Sequence, residues 1–295
     1  MTGDSMLVVI TGPTASGKSA IALRLAQAIG GSIVNADASQ LYADLRIISA
    51  RPSPEEEALV PHRLYGGLDG DEIASAARWA GMAKAAIAQE QAAGRVPILV
   101  GGTGMYLATL LDGIAPVPEI DPEIRAAVRA LATGDAIAVL ASEDPALAAR
   151  LLPGDRQRTL RGLEVIRSSG QSLLHWQQFR VGGIAADHDV RRFVVDVPRP
   201  LLHERATARL WQMAQAGAVA EAAALLARRL PDDRPVLRAL GVAQFGAVAA
   251  GTLALADAVA AAATATRQYQ KRQVTWARGQ AADWTRITGE TALML

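Results

Sequence analysis

The stretch Gly12-Pro13-Thr14-Ala15-Ser16-Gly17-Lys18-Ser19 decides the fold of this chain. It fits the pattern GxxxxGK[ST], in which a glycine-rich loop turns its backbone N–H groups toward phosphates. An apolar run at residues 6–10 precedes it and apolar residues at helical spacing follow it, so the loop joins a strand to a helix. Lys18 suits the outer phosphates of a di- or triphosphate, and the hydroxyl of Ser19 suits a bridging Mg²⁺.

A second apolar strand, at residues 32–35, is followed by Asp37. It lies about one βαβ unit beyond the phosphate loop. Ligands of open parallel sheets bind outside the carboxyl ends of the strands, so we expect Asp37 in the same crevice as Lys18. Ser39 and Gln40 follow at once and offer groups for recognition. The alternative is that Asp37 only caps the next helix.

A third strand, at residues 96–100, ends in Gly101-Gly102-Thr103-Gly104. We expect this turn to face the same crevice, with glycines that allow a ligand to approach and a hydroxyl from Thr103. A tight strand-to-helix turn without ligand is the alternative. Before it, prolines predict irregular chain over residues 44–70, and helical spacing predicts a helix over 72–91.

The residue pattern changes after residue 112, where several prolines indicate a linker. From there to about residue 183 the patterns are helical, and a strand at 190–197 then rejoins the sheet. Helices are predicted over 201–216, 218–230, 235–250 and 255–278. We therefore predict an α/β fold: a parallel sheet of the P-loop NTPase type flanked by helices, formed by residues 1–115 and 190–295, with a helical C-terminal part. Residues 116–189 form an inserted all-helical subdomain.

Composition excludes several classes of protein. The chain has 295 residues, 51% of them hydrophobic, which is enough for a sizeable core. It has no cysteine, which excludes disulfides, thiolate zinc sites and cysteine nucleophiles, and its four histidines are scattered. No apolar run reaches the roughly 18 residues of a membrane span, and the first apolar stretch continues into the phosphate loop. We expect no signal peptide, no membrane contact and a cytoplasmic location.

Two local charge excesses stand out against a net charge of +1. Residues 150–167 carry five basic and two acidic side chains, and residues 265–286 carry five basic and one acidic. In the second window Arg267, Lys271 and Arg278 fall on one stripe of a helix. Such stripes suit phosphate contacts, although solvated helix faces are the ordinary alternative.

Taken together, these residues resemble the tRNA dimethylallyltransferases, also called tRNA isopentenyltransferases, along nearly the whole chain. Five motifs of that family occur here in the right order. They are GPTASGKS at 12–19, the Asp-x-Ser-Gln segment at 37–40, GGTGxY at 101–106, the family's DxxRxxRALEV, which reads DRQRTLRGLEV at 155–165, and its TRQYAKRQxTW, which reads TRQYQKRQVTW at 266–276.

The chain departs from the family pattern in two segments. Ala38 stands where the family usually has serine, so a hydroxyl is missing. In the segment that usually reads IGTAKP, Ile48 replaces glycine and Arg51 replaces lysine. The change to isoleucine fills space in this loop.

The resemblance implies transfer of a dimethylallyl group from dimethylallyl diphosphate to N6 of an adenosine beside a tRNA anticodon. Asp37 would act as general base and Thr103 would lie beside the reacting centre. The diphosphate would be bound by the loop residues 12–19, with Lys18, by Mg²⁺ near Ser19, and by Arg205 or Arg209. No ATP need be hydrolysed.

The resemblance also implies contacts to a tRNA anticodon stem-loop, which a single chain could make as a monomer. The implied contact residues come from the strand ends, the insert and the last helix. They are Asp37, Ala38, Ser39, Gln40, Thr103, Arg125, Gln157, Arg158, Thr159, Leu160, Arg161, Arg267, Lys271 and Arg278.

Two other functions compete with this interpretation. A P-loop kinase of a small metabolite would use Asp37 as base and ATP as donor, and would leave the segments 156–161 and 266–276 unexplained. An RNA-binding switch would bind nucleotide without chemistry. A kinase consumes ATP without RNA, whereas the transferase needs both a prenyl diphosphate and tRNA.

Overall fold

The computed structural model describes residues 6–288. Its centre is a six-stranded sheet in the order β3-β2-β4-β1-β5-β6, and every neighbouring pair is parallel. The strands are β1 Met6–Thr11, β2 Ser32–Asn35, β3 His62–Arg63, β4 Pro97–Gly101, β5 Asp189–Val195 and β6 Thr285–Ile287.

The central strands are apolar along their whole length because helices cover both faces of a parallel sheet. In β1 every residue from Leu7 to Thr11 is buried, and so is all of β4. At the carboxyl end the Thr11 hydroxyl donates to the Gly101 carbonyl oxygen at 2.9 Å. This bond ties the start of the phosphate loop to the second glycine-rich turn.

The helices follow the strands in the order expected for a doubly wound sheet. They are α1 Lys18–Ile29, α2 Pro54–Leu59, α3 Ala76–Ala92, α4 Gly104–Asp112, α5 Pro122–Ala130, α6 Thr133–Glu143, α7 Pro145–Ala148, α8 Arg156–Ser169, α9 Leu173–Trp176, α10 Arg199–Ala216, α11 Ala218–Ala227, α12 Val242–Ala249 and α13 Leu255–Gln280. The prediction of an α/β fold with a parallel sheet is confirmed.

The chain divides into two compact units. One contains the sheet and comprises the chain up to Leu110 and from Ala185 on. The other, Leu111–Ile184, is helical and has its own core of Val128, Leu140 and Leu163, packed with neighbouring apolar side chains.

Residues 44–70 are more regular than the prolines predict. Helix α2 begins at Pro54, and Ser53 forms a capping box with Glu56: the Ser53 Oγ accepts from the Glu56 N–H at 3.2 Å, and the Glu56 carboxylate accepts from the Ser53 N–H at 2.8 Å. Proline at the first helical position favours a helix rather than breaking one. The two residues of β3 then pair with β2.

Three other boundaries differ from the sequence prediction. Helix α3 begins at Ala76 rather than 72, because Ser75 caps it. The predicted helix 235–250 is a 3₁₀ turn, Pro235–Arg238, followed by α12. Gly241, with φ +98°, separates the two, a conformation that interrupts a right-handed helix. The chain after α13 adds the unpredicted edge strand β6 beside β5.

Across residues 6–288, every helix is too short or too polar to cross a membrane.

Candidate active site

The phosphate loop has the geometry of an anion site. Gly17 is the N-cap residue of α1, with φ +88°. Because glycine has no side chain, no side-chain group caps the helix. The N–H groups of Lys18, Ser19 and Ala20 therefore have no acceptor within the helix. The Ser16 hydroxyl is buried, and among the described residues no group bonds to it. These donors, at the positive end of a helix, suit phosphate oxygens.

Lys18 bends back over this loop, where its ammonium group lies 3.5 Å from the Pro13 carbonyl oxygen. The pKa of Lys18 is lowered to about 8, chiefly because the ammonium group is removed from solvent; the Asp37 carboxylate opposes this shift and the Arg209 guanidinium adds to it. A bound polyanion would restore the charge, because a nearby negative charge favours the protonated form.

A cavity of about 340 Å³ surrounds the loop. Lys18, Arg51 and Arg209 bring three positive charges to its lining, and Ser19 lies there with an exposed hydroxyl. Glu56 is the acidic residue of the lining. Burial lowers the pKa of the Arg209 guanidinium, while Asp37 and Glu56 raise it. Arg209 stays charged because its ordinary pKa is so high, so the cavity is suited to a diphosphate.

Asp37 is fixed by Asn35, the last residue of β2. The Asp37 N–H donates to the Asn35 Oδ1 at 2.8 Å, and the Asn35 Nδ2 donates to the Asp37 carbonyl oxygen at 3.0 Å. The Asp37 Oδ1 accepts from the Ser39 N–H at 3.0 Å, so part of the carboxylate does hold the following turn. Asp37 also lines a second cavity, so the capping role does not remove it from the site.

Tyr269 also lines this second cavity, and Thr103 is its neighbour. The Thr103 hydroxyl accepts from the Ala38 N–H at 3.1 Å and is hydrogen-bonded to Tyr269. Burial and the Asp37 carboxylate raise the pKa of Tyr269 to about 12, and the bond to Thr103 works in the opposite direction. Tyr269 is therefore a neutral hydroxyl at physiological pH.

The second cavity measures about 70 Å³, and its lining is more apolar than polar. Arg209 lines both this cavity and the one around the phosphate loop, so the two are neighbours. The remaining lining is mostly aliphatic. It comprises Ile48, Ala206, Leu210, Met213, Ala239 and Leu240, with Thr14, Ser39, Ser49 and Thr266 between them.

The glycines of the second turn make room for the protein itself. A Cβ on Gly101 would lie 2.1 Å from the Ala36 backbone, and one on Gly104 would lie 2.3 Å from the Trp276 ring. At Gly102 a Cβ would meet the Gln273 amide at 2.0 Å. The expectation that these glycines admit a ligand is therefore replaced by close packing of β2 and α13 on the turn.

Gln270 and Gln273 of α13 form hydrogen bonds with the backbone of the phosphate loop. The Gln273 Oε1 accepts from the Thr14 N–H at 2.8 Å, and its Nε2 donates to the Gly102 carbonyl oxygen at 3.0 Å. The Gln270 Nε2 donates to the Thr14 carbonyl oxygen at 2.8 Å. No motif in the sequence predicts this structural role of the two glutamines, although their i, i+3 spacing on one face of a helix could have indicated it.

The basic stripe of α13 lies on another face of the same helix. Arg267, Lys271 and Arg278 line a groove of about 390 Å³ that also includes Arg199 and His203 of α10. Arg205, one of two candidates for the diphosphate, is exposed and lines neither of the two cavities described above.

In the helical unit, the residues expected to bind RNA divide by burial. Gln157 is exposed and the Arg158 side chain is 71% exposed, although it pairs with Asp155. Arg161 pairs with Glu164 at 3.6 Å, and Arg125 is exposed on α5.

The other two of these residues point inward. Thr159 is buried with its hydroxyl donating to the Asp155 carbonyl oxygen at 2.9 Å, and Leu160 packs against the unit's core. The Thr159 side chain is therefore not available to a partner, whereas Leu160 is only partly buried.

Comparison with known proteins gives matches along nearly the whole chain. A family model described as IPP transferase matches residues 40–280. The tRNA dimethylallyltransferase of Sphingopyxis alaskensis is 57% identical over 282 residues, covering 95% of this chain and 92% of that protein.

Solved structures show the same likeness. The tRNA isopentenylpyrophosphate transferase of Bacillus halodurans has a TM-score of 0.69 at 28% identity, covering 96% of this chain and 90% of that one. A eukaryotic dimethylallyltransferase acting on tRNA has a TM-score of 0.83 at 25% identity, with 96% and 74% covered.

Proposed function

Because the chain belongs to the IPP transferase family, we propose that it transfers a dimethylallyl group from dimethylallyl diphosphate to N6 of the adenosine on the 3′ side of a tRNA anticodon. The products are N6-dimethylallyladenosine and diphosphate. The observation that carries this proposal is the phosphate loop beside a small apolar cavity with Asp37 at its edge.

Asp37 is the proposed general base. The exocyclic amine of adenine is a weak nucleophile, so a carboxylate within reach of its proton assists attack. A bond forms between N6 and C1 of the prenyl chain while the bond from C1 to the diphosphate oxygen breaks. The proton passes to Asp37 and the electron pair leaves with the diphosphate. Thr103 and Tyr269 offer hydroxyl groups that orient the base in this step.

Negative charge develops on the leaving diphosphate in the transition state, and preorganised hydrogen-bond donors and positive charges stabilise it. Lys18, Arg209 and Arg51 supply it with positive charge, and the loop N–H groups and the Ser16 hydroxyl supply hydrogen bonds.

Ser19, which is exposed on the loop, would hold a Mg²⁺ through its hydroxyl, because this ion usually takes few protein ligands beside substrate oxygens. When bound, the ion adds neutralisation of the leaving group.

We assign tRNA contacts to the groove of Arg267, Lys271 and Arg278 and to the exposed Gln157 and Arg158 of the helical unit. The target base must leave its stack, which is easier in a single-stranded loop than in a helix. The assigned contacts all lie on one chain, so we propose that a monomer acts, in the cytoplasm, where tRNA is modified.

The test is incubation of the purified protein with unmodified tRNA, dimethylallyl diphosphate and Mg²⁺, followed by mass analysis of the nucleosides. We expect an adenosine that has gained one dimethylallyl group. Lys18→Ala should lose the product, while Arg24→Ala, which removes a charge from the exposed side of the same helix, should keep it. Steady ATP consumption without RNA, and no modified nucleoside with any tRNA, would favour the metabolite kinase.

A further inference from the structure

We propose that Glu221 is a positioning residue for the donor: through the backbone of residues 46–51 it sets where Arg51 meets the diphosphate. The inference rests on the proposed function, in which Arg51 helps to neutralise that diphosphate. Glu221 lies in the first turn of α11 and lines neither of the two cavities of the site. It therefore acts on the site through the residues that it holds.

The Glu221 carboxylate binds three consecutive backbone N–H groups. Its Oε1 accepts from the N–H groups of Arg46 and Ile47 at 2.7 and 2.8 Å, and its Oε2 accepts from the Ile48 N–H at 2.7 Å. Hydrogen bonds to a carboxylate are stronger than those between neutral groups. Three of them on consecutive residues fix this stretch of backbone.

The fixed backbone is bonded directly to Arg51. The Arg51 N–H donates to the Arg46 carbonyl oxygen at 3.0 Å, and the Ala50 N–H donates to the Ile47 carbonyl oxygen at 3.0 Å. Ala50 has φ +50°, a left-handed conformation that residues with a side chain disfavour, so this turn exists because bonds hold it. The Ala50 carbonyl oxygen also accepts from the Gln40 Nε2 at 2.8 Å. The position of the Arg51 backbone therefore depends on the bonds that Glu221 makes.

The Arg51 side chain makes few bonds that could hold it independently of its backbone. It lines the phosphate-loop cavity with Lys18 and Arg209 and is 13% exposed. Its ion pair with Glu57 is long, at 4.0 Å, and its buried Nε–H has no hydrogen-bond partner among the described residues. On one side the guanidinium is confined by Gly66, where an added Cβ would lie 1.9 Å from Nη1. A shift of the backbone should therefore move this charge relative to the diphosphate.

Charge and position predict opposite effects of removing the Glu221 carboxylate. Burial and Arg46 lower the pKa of the Arg51 guanidinium, whereas Glu57 and Glu221 raise it, so the negative charge of Glu221 acts at this side of the cavity. If only that charge mattered, its loss would strengthen the binding of an anion. If Glu221 positions Arg51, its loss should weaken the binding of the anion.

The first experiment is a calorimetric titration of the full chain with diphosphate and Mg²⁺, which needs neither tRNA nor transfer. Glu221→Gln keeps the size of the side chain and replaces one acceptor oxygen by an amide donor, so we expect the Kd for diphosphate to rise about tenfold. Arg51→Ala should raise it about 10–100-fold, because a charged partner of the anion is lost. In the Arg51→Ala background, Glu221→Gln should add about twofold at most, since both changes then act on the same contact.

Glu57→Gln is the matched control. It removes the other carboxylate that raises the pKa of Arg51 but leaves the bonds of Glu221 to the backbone intact, so it should not raise the Kd for diphosphate. Steady-state kinetics with dimethylallyl diphosphate and tRNA then compare the two substrates. For Glu221→Gln the KM for the donor should rise, while the KM for tRNA stays within about twofold of the parent value.

The proposal is overturned if Glu221→Gln leaves the Kd for diphosphate unchanged or lowers it, or if Arg51→Ala leaves it unchanged. It is also overturned if Glu221→Gln has the same effect in both backgrounds, as a purely structural role requires. Glu221→Asp keeps the charge with a shorter reach, and it repeats the test if thermal melting shows that Glu221→Gln does not fold. A parent that binds diphosphate but modifies no tRNA would refute the proposed function, which is a different result from an unchanged Kd.

Discussion

Gln273, which bonds to the phosphate loop, gives a prediction about a residue that supports the site without a proposed part in the reaction. Gln273→Leu keeps the size of a side chain that is 7% exposed but removes its bonds to Thr14 and Gly102. The Thr14 N–H and the Gly102 carbonyl oxygen would both lose the Gln273 amide as hydrogen-bond partner, at a buried position that water does not readily reach. Each such group costs about 1–3 kcal/mol, so we expect a loss of about 2–6 kcal/mol in the free energy of unfolding.

Part of that loss should appear at the active site. The Thr14 peptide belongs to the phosphate loop and is bonded on both sides by α13, so the variant lets the loop relax. If about 1.4 kcal/mol of the change falls on donor binding, the KM for dimethylallyl diphosphate rises about tenfold. The basic groove assigned to tRNA keeps all its side chains in this variant, so the affinity for tRNA should change less than the KM for the donor.

Thermal melting and steady-state kinetics test this prediction on the same preparations. For a chain of 295 residues, each kcal/mol of destabilisation lowers the melting temperature by roughly 1.6 °C. Gln280→Leu is the control, because Gln280 is exposed at the end of the same helix. The reasoning fails if Gln273→Leu melts with the parent and keeps the parent's KM for the donor.

Three further predictions follow from the site and its packing. Asp37→Asn preserves the acceptor for the Ser39 N–H but should lower kcat by about 10²–10⁴, with tRNA affinity within a few fold in a filter-binding assay; near-normal turnover would remove Asp37 from the role of base. The lowered pKa of Lys18, about 8, predicts that donor kcat/KM falls above pH 8, approaching tenfold per pH unit, and that this limb disappears in Lys18→Arg. Because the unfolded lysine binds more protons between pH 8 and its ordinary pKa of 10.5, Lys18 should also make stability rise with pH across that window. Gly104→Ala should cost about 1–3 kcal/mol, since its Cβ would meet Trp276 at 2.3 Å, whereas Gly81→Ala, with nothing within 4 Å, should stabilise α3; equal melting shifts would contradict this.

The sheet and the centre of the site could be predicted because their signals are local. A parallel strand buried on both faces is a short apolar run, and the phosphate loop is a single octet with known flanks. Asp37 and Thr103 follow strands of the same sheet, so topology alone brings them to one edge.

The helix boundaries that were missed depend on single residues. A proline such as Pro54 usually predicts that a helix is broken. Directly after the N-cap residue Ser53, however, proline is a favourable first residue of a helix. The count of five basic and two acidic side chains in the insert does not show which of them pair: Arg158 pairs with Asp155 and Arg161 with Glu164, each three residues away.

The contacts that shape the site are long-range, and no local pattern contains them. Glu221 bonds to Ile48 across 173 positions of the chain, and Gln273 bonds to Thr14 across 259. Each partner looks ordinary in its own segment, an acid in the first turn of a helix and a glutamine in a long helix. Their roles appear only when the sheet brings the ends of the chain together.

The position of α13 explains why one helix contains both polar and basic residues of the family's last motif. Its buried face gives Gln270, Gln273 and Tyr269 to the phosphate loop and to Thr103, and its outer face gives Arg267 and Lys271 to the basic groove. A helix is rigid over a few turns, so a partner that settles on the outer face also constrains the inner one. The face packed on the phosphate loop and the face proposed to bind tRNA therefore belong to one helix, so we expect the proposed binding of the donor and of tRNA to be coupled.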